Sequence, residues 1–239
     1  MKNIFMLLIL LSVTLMAQTN FSPYETDILA VNKEGVIIKN NPDIEIGTTG
    51  VIVHFFDAVH RTIIANVEVI KKGTDKLLLK VSPFDAIAQE ALPDYNIPPK
   101  VGDKVILNFL YNRALAIVPD EETYHTVTRS YDVFTWLHPD LFAVSLAKSY
   151  TPTPDKERFQ KECIAQNIGL LFFAIKQKGY FVDCRSFKTL NTIPLPEAKS
   201  VKIPFYNRLD SIKGRLFGLF GGKGINDYNS YYAHLIKVK

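Results

Sequence analysis

Cys163 and Cys184 are the two cysteines, and their spacing is not that of a CxxC motif. A redox pair or a zinc knuckle therefore has no support. Bridged, they would close a loop worth roughly 3 kcal/mol of stability in the chain-entropy picture. Unbridged, they are two buried thiols. Cys163 and His138 are the residue types of a thiol hydrolase, but the second cysteine and the missing nucleophile motif favour a bridge. His54 and His60 flank Asp57, a donor set that zinc accepts when the three side chains converge. On a strand and turn nothing forces convergence, so edge-strand histidines are the plainer reading. The carboxylates are scattered and form no evident acid and base pair. P-loop, GxGxxG, HExxH and GxSxG patterns are absent from the sequence. These observations favour a non-catalytic protein with no metal and no cofactor.

The C-terminal stretch carries a different chemistry. Residues 201–239 hold the basic side chains Lys202, Arg208, Lys213, Arg215, Lys223, Lys237 and Lys239 against Asp210 and Asp227. Phe205, Tyr206, Phe217, Phe220, Tyr228, Tyr231 and Tyr232 are interleaved with them. Such mixing suits nucleic acid or an anionic membrane surface, or it is a solvated final helix and strand. The last residue, Lys239, joins an ammonium to a backbone carboxylate. A site with carboxylates at one end, a cation at the other and aromatic walls would take both charges.

Something must position these residues. The chain has 239 residues, 47% apolar and 22% charged, with a net charge of +4. That is ordinary globular usage for one large domain or two small ones, and it excludes a disordered chain. The charge is too low for a dedicated nucleic-acid binder. Lys2, the apolar run 4–15 and Ala17 read as a secretory signal peptide over residues 1–17, with an uncleaved anchor as the alternative. Cleavage would start the mature chain at Gln18. Export places the cysteines where disulfides form.

Residues 18–119 read as β-rich. Strands are expected around Ile28–Ile38, with a turn at 33–35, and at Val51–Val53, Thr62–Ile70, Leu77–Val81, Val105–Leu110 and Ala114–Val118. Their regular spacing predicts a small barrel or sandwich. Phe84–Leu92, between Pro83 and Pro93, predicts a short helix. Residues 120–239 read as a smaller α+β region. Helices are expected over 120–128, 141–149 and 154–166, the last with Thr153 as N-cap, Pro154 at N1 and Gly169 as its stop. Strands follow at 170–175, 180–183 and 187–190. Gly221, Gly222 and Gly224 could leave the last segment mobile, whereas Tyr231–Val238 reads as a strand that would bury the end. The fold class is α+β.

Four stretches carry a family resemblance: Pro42–Gly47, Val101–Tyr111, Trp136–Phe142 and Tyr180–Phe187. They look like the N-terminal domain of the plasminogen-binding proteins of Helicobacter and its relatives, from about residue 21 to 210. The resemblance implies a protein of the periplasm, outer membrane or cell surface that captures host plasminogen through lysines, with Lys239 and Lys237 as the residues matching by position. Kringle modules of plasminogen have the two-charge site described above. Members of that type carry a Lys/Glu-rich tail after the shared domain, and this sequence is read as lacking one. The alternative is a structural or assembly module of the bacterial envelope, with other envelope proteins as partners and no host ligand. Nucleic acid is not expected as a partner.

Overall fold

The computed structural model describes residues 21–85, 97–210, 212 and 224–238. The expected leader, residues 86–92 of the expected Phe84–Leu92 helix, the basic stretch 213–220 with Gly221 and Gly222, and Lys239 lie outside the described residues.

The N-terminal half is a closed antiparallel barrel. Its strands are β1 (Tyr24–Asn32), β2 (Gly35–Lys39), β3 (Thr49–Phe55), β4 (Arg61–Lys72), β5 (Lys76–Pro83) and β6 (Lys104–Leu107). They run in the order β1-β2-β5-β4-β3-β6 and close through the pairs Tyr24↔Leu107 to Asp27↔Lys104. Alternation explains the closure. Val36, Ile38, Val67, Val69, Leu77, Leu79, Val105 and Leu107 point inward and are buried, while their neighbours face out. A closed barrel leaves no edge strand. Register shifts at Ile28/Ala30, Ile52/Val53 and Val69/Lys71 bend the strands around it.

The second half is a five-stranded sheet with helices on both faces. Its strands are β7 (Arg113–Ile117), β8 (Thr135–Leu137), β9 (Leu170–Ile175), β10 (Lys178–Asp183) and β11 (Thr189–Pro194), ordered β11-β10-β9-β7-β8. Strand β7 runs parallel to β8 and β9. Every residue of β9 is buried, as a central strand covered on both faces requires. One face packs Leu171 and Phe173 against α2 (Asp140–Lys148), α3 (Lys156–Gln166) and α4 (Tyr228–Leu235). The other packs Leu170 and Phe172 against Tyr124 and Val127 of α1 (Glu121–Ser130).

The structure departs from the sequence expectations in five places. Ala114–Val118, which spacing alone groups with the barrel strands, supplies β7 of the second sheet. Strand β8 was not anticipated; three residues are too few to show a period. The N-cap of α3 is Asp155, whose carboxylate accepts from the Arg158 N–H at 2.9 Å, and not Thr153. Asn167, left-handed with φ 52°, ends α3. Gly169 serves another purpose: a Cβ there would stand 2.5 Å from the Leu110 backbone. The final segment is a helix, not a strand, because Tyr228, Tyr232 and Ile236 repeat at helical spacing and bury one face.

Asp120 ties α1 to the chain that returns to it. One carboxylate oxygen accepts from the Thr123 N–H at 2.8 Å, and the other from Lys199 and Ser200 at 2.9 and 3.1 Å. Burial pushes this carboxyl up, and the donors at Thr123, Ser200 and Lys199 outweigh it, leaving the group below the ordinary aspartate value. A depressed carboxyl contributes stability that is present above the unfolded value near 3.9 and lost as pH falls through the lower folded one. Asp120→Ala is expected to cost about 1–2 kcal/mol at neutral pH and to flatten the acid limb of stability. Urea midpoints of both proteins from neutral pH to about pH 3 check this; parallel limbs would contradict it.

Candidate functional site

Lys237, one of the two lysines read as binding residues, lies just past the end of α4, so what seats that helix sets how it is presented. Asp227 caps its start, accepting from the Ser230 N–H at 2.5 Å. Tyr228 and Tyr232 are fully enclosed, and their hydroxyls donate to the carbonyls of Ile117 and Pro204, each at 2.8 Å. Burial holds both phenols well above the ordinary tyrosine range, so they remain donors. Tyr231 donates to the Pro154 carbonyl at 2.9 Å, and Asn229 accepts from the Lys176 N–H at 2.7 Å. Three hydroxyls thus fasten α4 to β7, to the segment before α3 and to the 204 loop. The C-terminal segment is docked, as the strand reading required, but through a helix.

The helix ends in a six-residue turn. The Lys237 N–H donates to the His234 carbonyl at 3.2 Å, and the Val238 N–H to Ala233 at 2.9 Å. This is the Schellman arrangement, with Lys237 in the left-handed position at φ 58°. Glycine usually occupies that place, because a side chain there costs about 1 kcal/mol. Here the turn carries a lysine. Lys237 is exposed, and its ammonium has no partner among the described residues. Lys239 follows outside the described residues.

The other chemistry-bearing residues assemble differently. Cys163 of α3 and Cys184, just after β10, form a disulfide with Cα atoms 6.0 Å apart. Neither presents a thiol, so Cys163 and His138 do not make a nucleophile pair. His138 instead stands beside Tyr124, ring centroids 5.1 Å apart, and accepts from the Asp140 N–H at 3.2 Å. Burial lowers its pKa, with Asp140 opposing. His54 and His60 do not converge with Asp57: His54 pairs with Asp103 at 2.8 Å, and His60 with Asp57 at 2.7 Å. No cluster of three or more His, Cys, Asp or Glu able to hold a metal occurs among the described residues.

Two constellations had no sequence signal. Asp183, with no exposed surface, joins the two halves. One oxygen accepts from the Thr49 hydroxyl at 2.6 Å and the Tyr111 hydroxyl at 2.5 Å. The other accepts from the N–H groups of Arg185 at 2.9 Å and Ser186 at 2.6 Å. Near it, Arg185 grips Asp85 with two nitrogens at 2.6 and 3.2 Å. That ion pair lies in a cleft of about 330 Å³ between β3 and α3, walled by Val51, Phe109, Ile164 and the disulfide. Thr49 and Asp183 are 134 positions apart, so only the fold brings them together.

The family described as plasminogen-binding protein pgbA N-terminal matches residues 23–236. The chain belongs to this family. The curated relatives include the plasminogen-binding protein PgbA of Helicobacter pylori strain J99, 25% identical over 198 residues, and that of strain 26695, 24% identical over 198 residues. Each alignment covers 82% of this chain and 43% of the relative, so the chain spans less than half the length of the curated relatives it matches. No solved structure matches. The match encloses both the barrel and the second sheet, together with α4. The family is thus named for binding and not for a catalysed reaction.

Proposed function

We propose that this chain is an exported envelope or surface protein that captures plasminogen through lysines at its C-terminal end, chiefly Lys239 with help from Lys237. Family membership supports the ligand. The observation that carries the reading is the presentation of Lys237: exposed, unpartnered among the described residues, and held on a helix end fastened by three tyrosine hydroxyls. A docked presenter loses little conformational freedom when a kringle closes on the side chain. The apolar run at 4–15 and the Cys163–Cys184 bridge support export to an oxidising compartment.

One lysine contact is about micromolar or poorer, near 8 kcal/mol at most. Many copies on one surface would raise avidity. Immobilised plasminogen should bind the purified chain and release most of it when a free lysine analogue is added. Undiminished binding at saturating analogue would reject the lysine mechanism.

A second reading is an envelope assembly module with no host ligand. One observation favours it: the relatives that carry the plasminogen-binding name are more than twice as long as the segment they share with this chain. No binding to plasminogen at all would select this reading.

A further inference from the structure

We propose that the outer wall of the barrel, formed by β2, β5 and β4, is a docking surface for an anionic, phosphate-bearing lipid bilayer. The strand register places the residues. Leu77 and Leu79 of β5 are wholly buried, so Lys76, Leu78 and Lys80 face outward. Lys39 of β2 lies directly opposite Lys76, and Ile37 opposite Leu78. On the other side, Lys71 of β4 lies opposite Leu78, and Glu68 opposite Lys80. The shift at Val69/Lys71 turns Ile70 outward as well, 40% exposed.

Four ammoniums therefore share one convex wall with a single strand carboxylate, Glu68. Asp75, in the turn before Lys76, and Glu34, in the turn before Gly35 and so beside Lys80, are the acids at its ends; Lys72 is already paired with Glu45 at 3.1 Å. None of the ion pairs among the described residues involves Lys39, Lys71, Lys76 or Lys80. Three adjacent strands are about 10 Å across, and Lys76 to Lys80 is about 13 Å along the strand. Like charges set directly opposite, as Lys39 and Lys76 are, destabilise a sheet. Folding gains nothing from the Lys39–Lys76 juxtaposition, whereas an anionic surface does.

The mixture selects the partner. Ile37, Leu78 and Ile70 sit among the lysine stems and suit the boundary between headgroups and acyl chains, with the ammoniums on phosphates. A kringle engages one cation together with a carboxylate, and a row of spread ammoniums does not supply that. Nucleic acid would call for aromatic side chains to stack on bases, and the wall has none. This surface is separate from Lys237 and does not depend on plasminogen capture.

The test uses the full chain and vesicles of phosphatidylcholine, with or without about 30 mol% phosphatidylglycerol. The apolar N-terminal run contributes alike to every protein compared. Wild type should partition at least about tenfold more strongly onto the anionic vesicles, and less so at raised salt. The triple variant Lys39→Gln, Lys71→Gln, Lys76→Gln should lose that preference with its melting temperature unchanged or higher. The corresponding triple arginine variant should keep it. Equal partition of wild type onto both vesicles overturns the proposal, as does a glutamine variant that partitions like wild type. A glutamine variant that loses plasminogen while keeping vesicles assigns the wall to the kringle and equally overturns it.

Discussion

Asp183→Ala is expected to lower the free energy of unfolding by about 3–5 kcal/mol. The carboxylate accepts four hydrogen bonds in a site closed to water. Removing it strands the N–H groups of Arg185 and Ser186, which cannot turn away, and the hydroxyls of Thr49 and Tyr111. It also cuts a polar tie between β3 of the barrel and β10 of the second sheet. Asp183→Asn should cost much less, because its amide oxygen can stay on the two N–H groups while the hydroxyls rotate to accept. Burial holds the Asp183 carboxyl above the ordinary aspartate value, with its donors opposing. A raised carboxyl contributes stability that is fully present below the unfolded value and lost as pH rises through the folded one. Acid therefore does not weaken the fold through Asp183, in contrast to Asp120. Urea unfolding of the alanine and asparagine variants measures the difference; equal, small costs would mean that the halves are not joined through this carboxylate.

Replacing both Cys163 and Cys184 by alanine is expected to cost roughly 3 kcal/mol, or about 6–12 °C in melting temperature for a chain of this size. The bridge pins α3 to the end of β10, and Cys184 is the residue after Asp183. Both devices hold the same corner, so their losses should overlap rather than add. Thermal melts with and without reductant give the same comparison without mutation. A melt indifferent to reductant would show that α3 is held by packing alone, through Phe159 against Phe142 and Phe173.

What the sequence made legible follows from the range of each signal. Strands such as Val36–Ile38 and Leu77–Leu79 were readable as short apolar runs at regular spacing, but each run is apolar throughout, so only the fold shows which of its side chains point inward. Helix α1 forms where a helix was expected, over 120–128, and the structure supplies the reason: Asp120 caps it and Glu121 and Glu122 lie in its first turn. The pairing of β7 was not readable, since Ala114–Val118 is buried on both faces and alternation cannot say which sheet receives it. The last segment was misread because Tyr and Ile favour strands by propensity, and the packing of α4 overrides that preference. At the candidate site, Lys237 was visible as a residue type, whereas the Schellman turn that presents it depends on helix packing. The Asp183 network and the lysine wall are long-range pairings, which no local pattern announces.

The central claim rests on the end of α4, and removing Lys237, Val238 and Lys239 tests it most directly. Among the described residues, Lys237 is exposed and Val238 packs only partly against the core, so the truncated chain should still fold, with a small loss in melting temperature from the missing Val238 contact and turn. Binding of both chains to immobilised plasminogen is then compared at equal concentration. The account predicts that truncation removes most of the binding, at least about tenfold in affinity, and that a free lysine analogue has little left to displace. Full binding by the truncated chain, still displaced by the analogue, would contradict it and move the contact to other lysines.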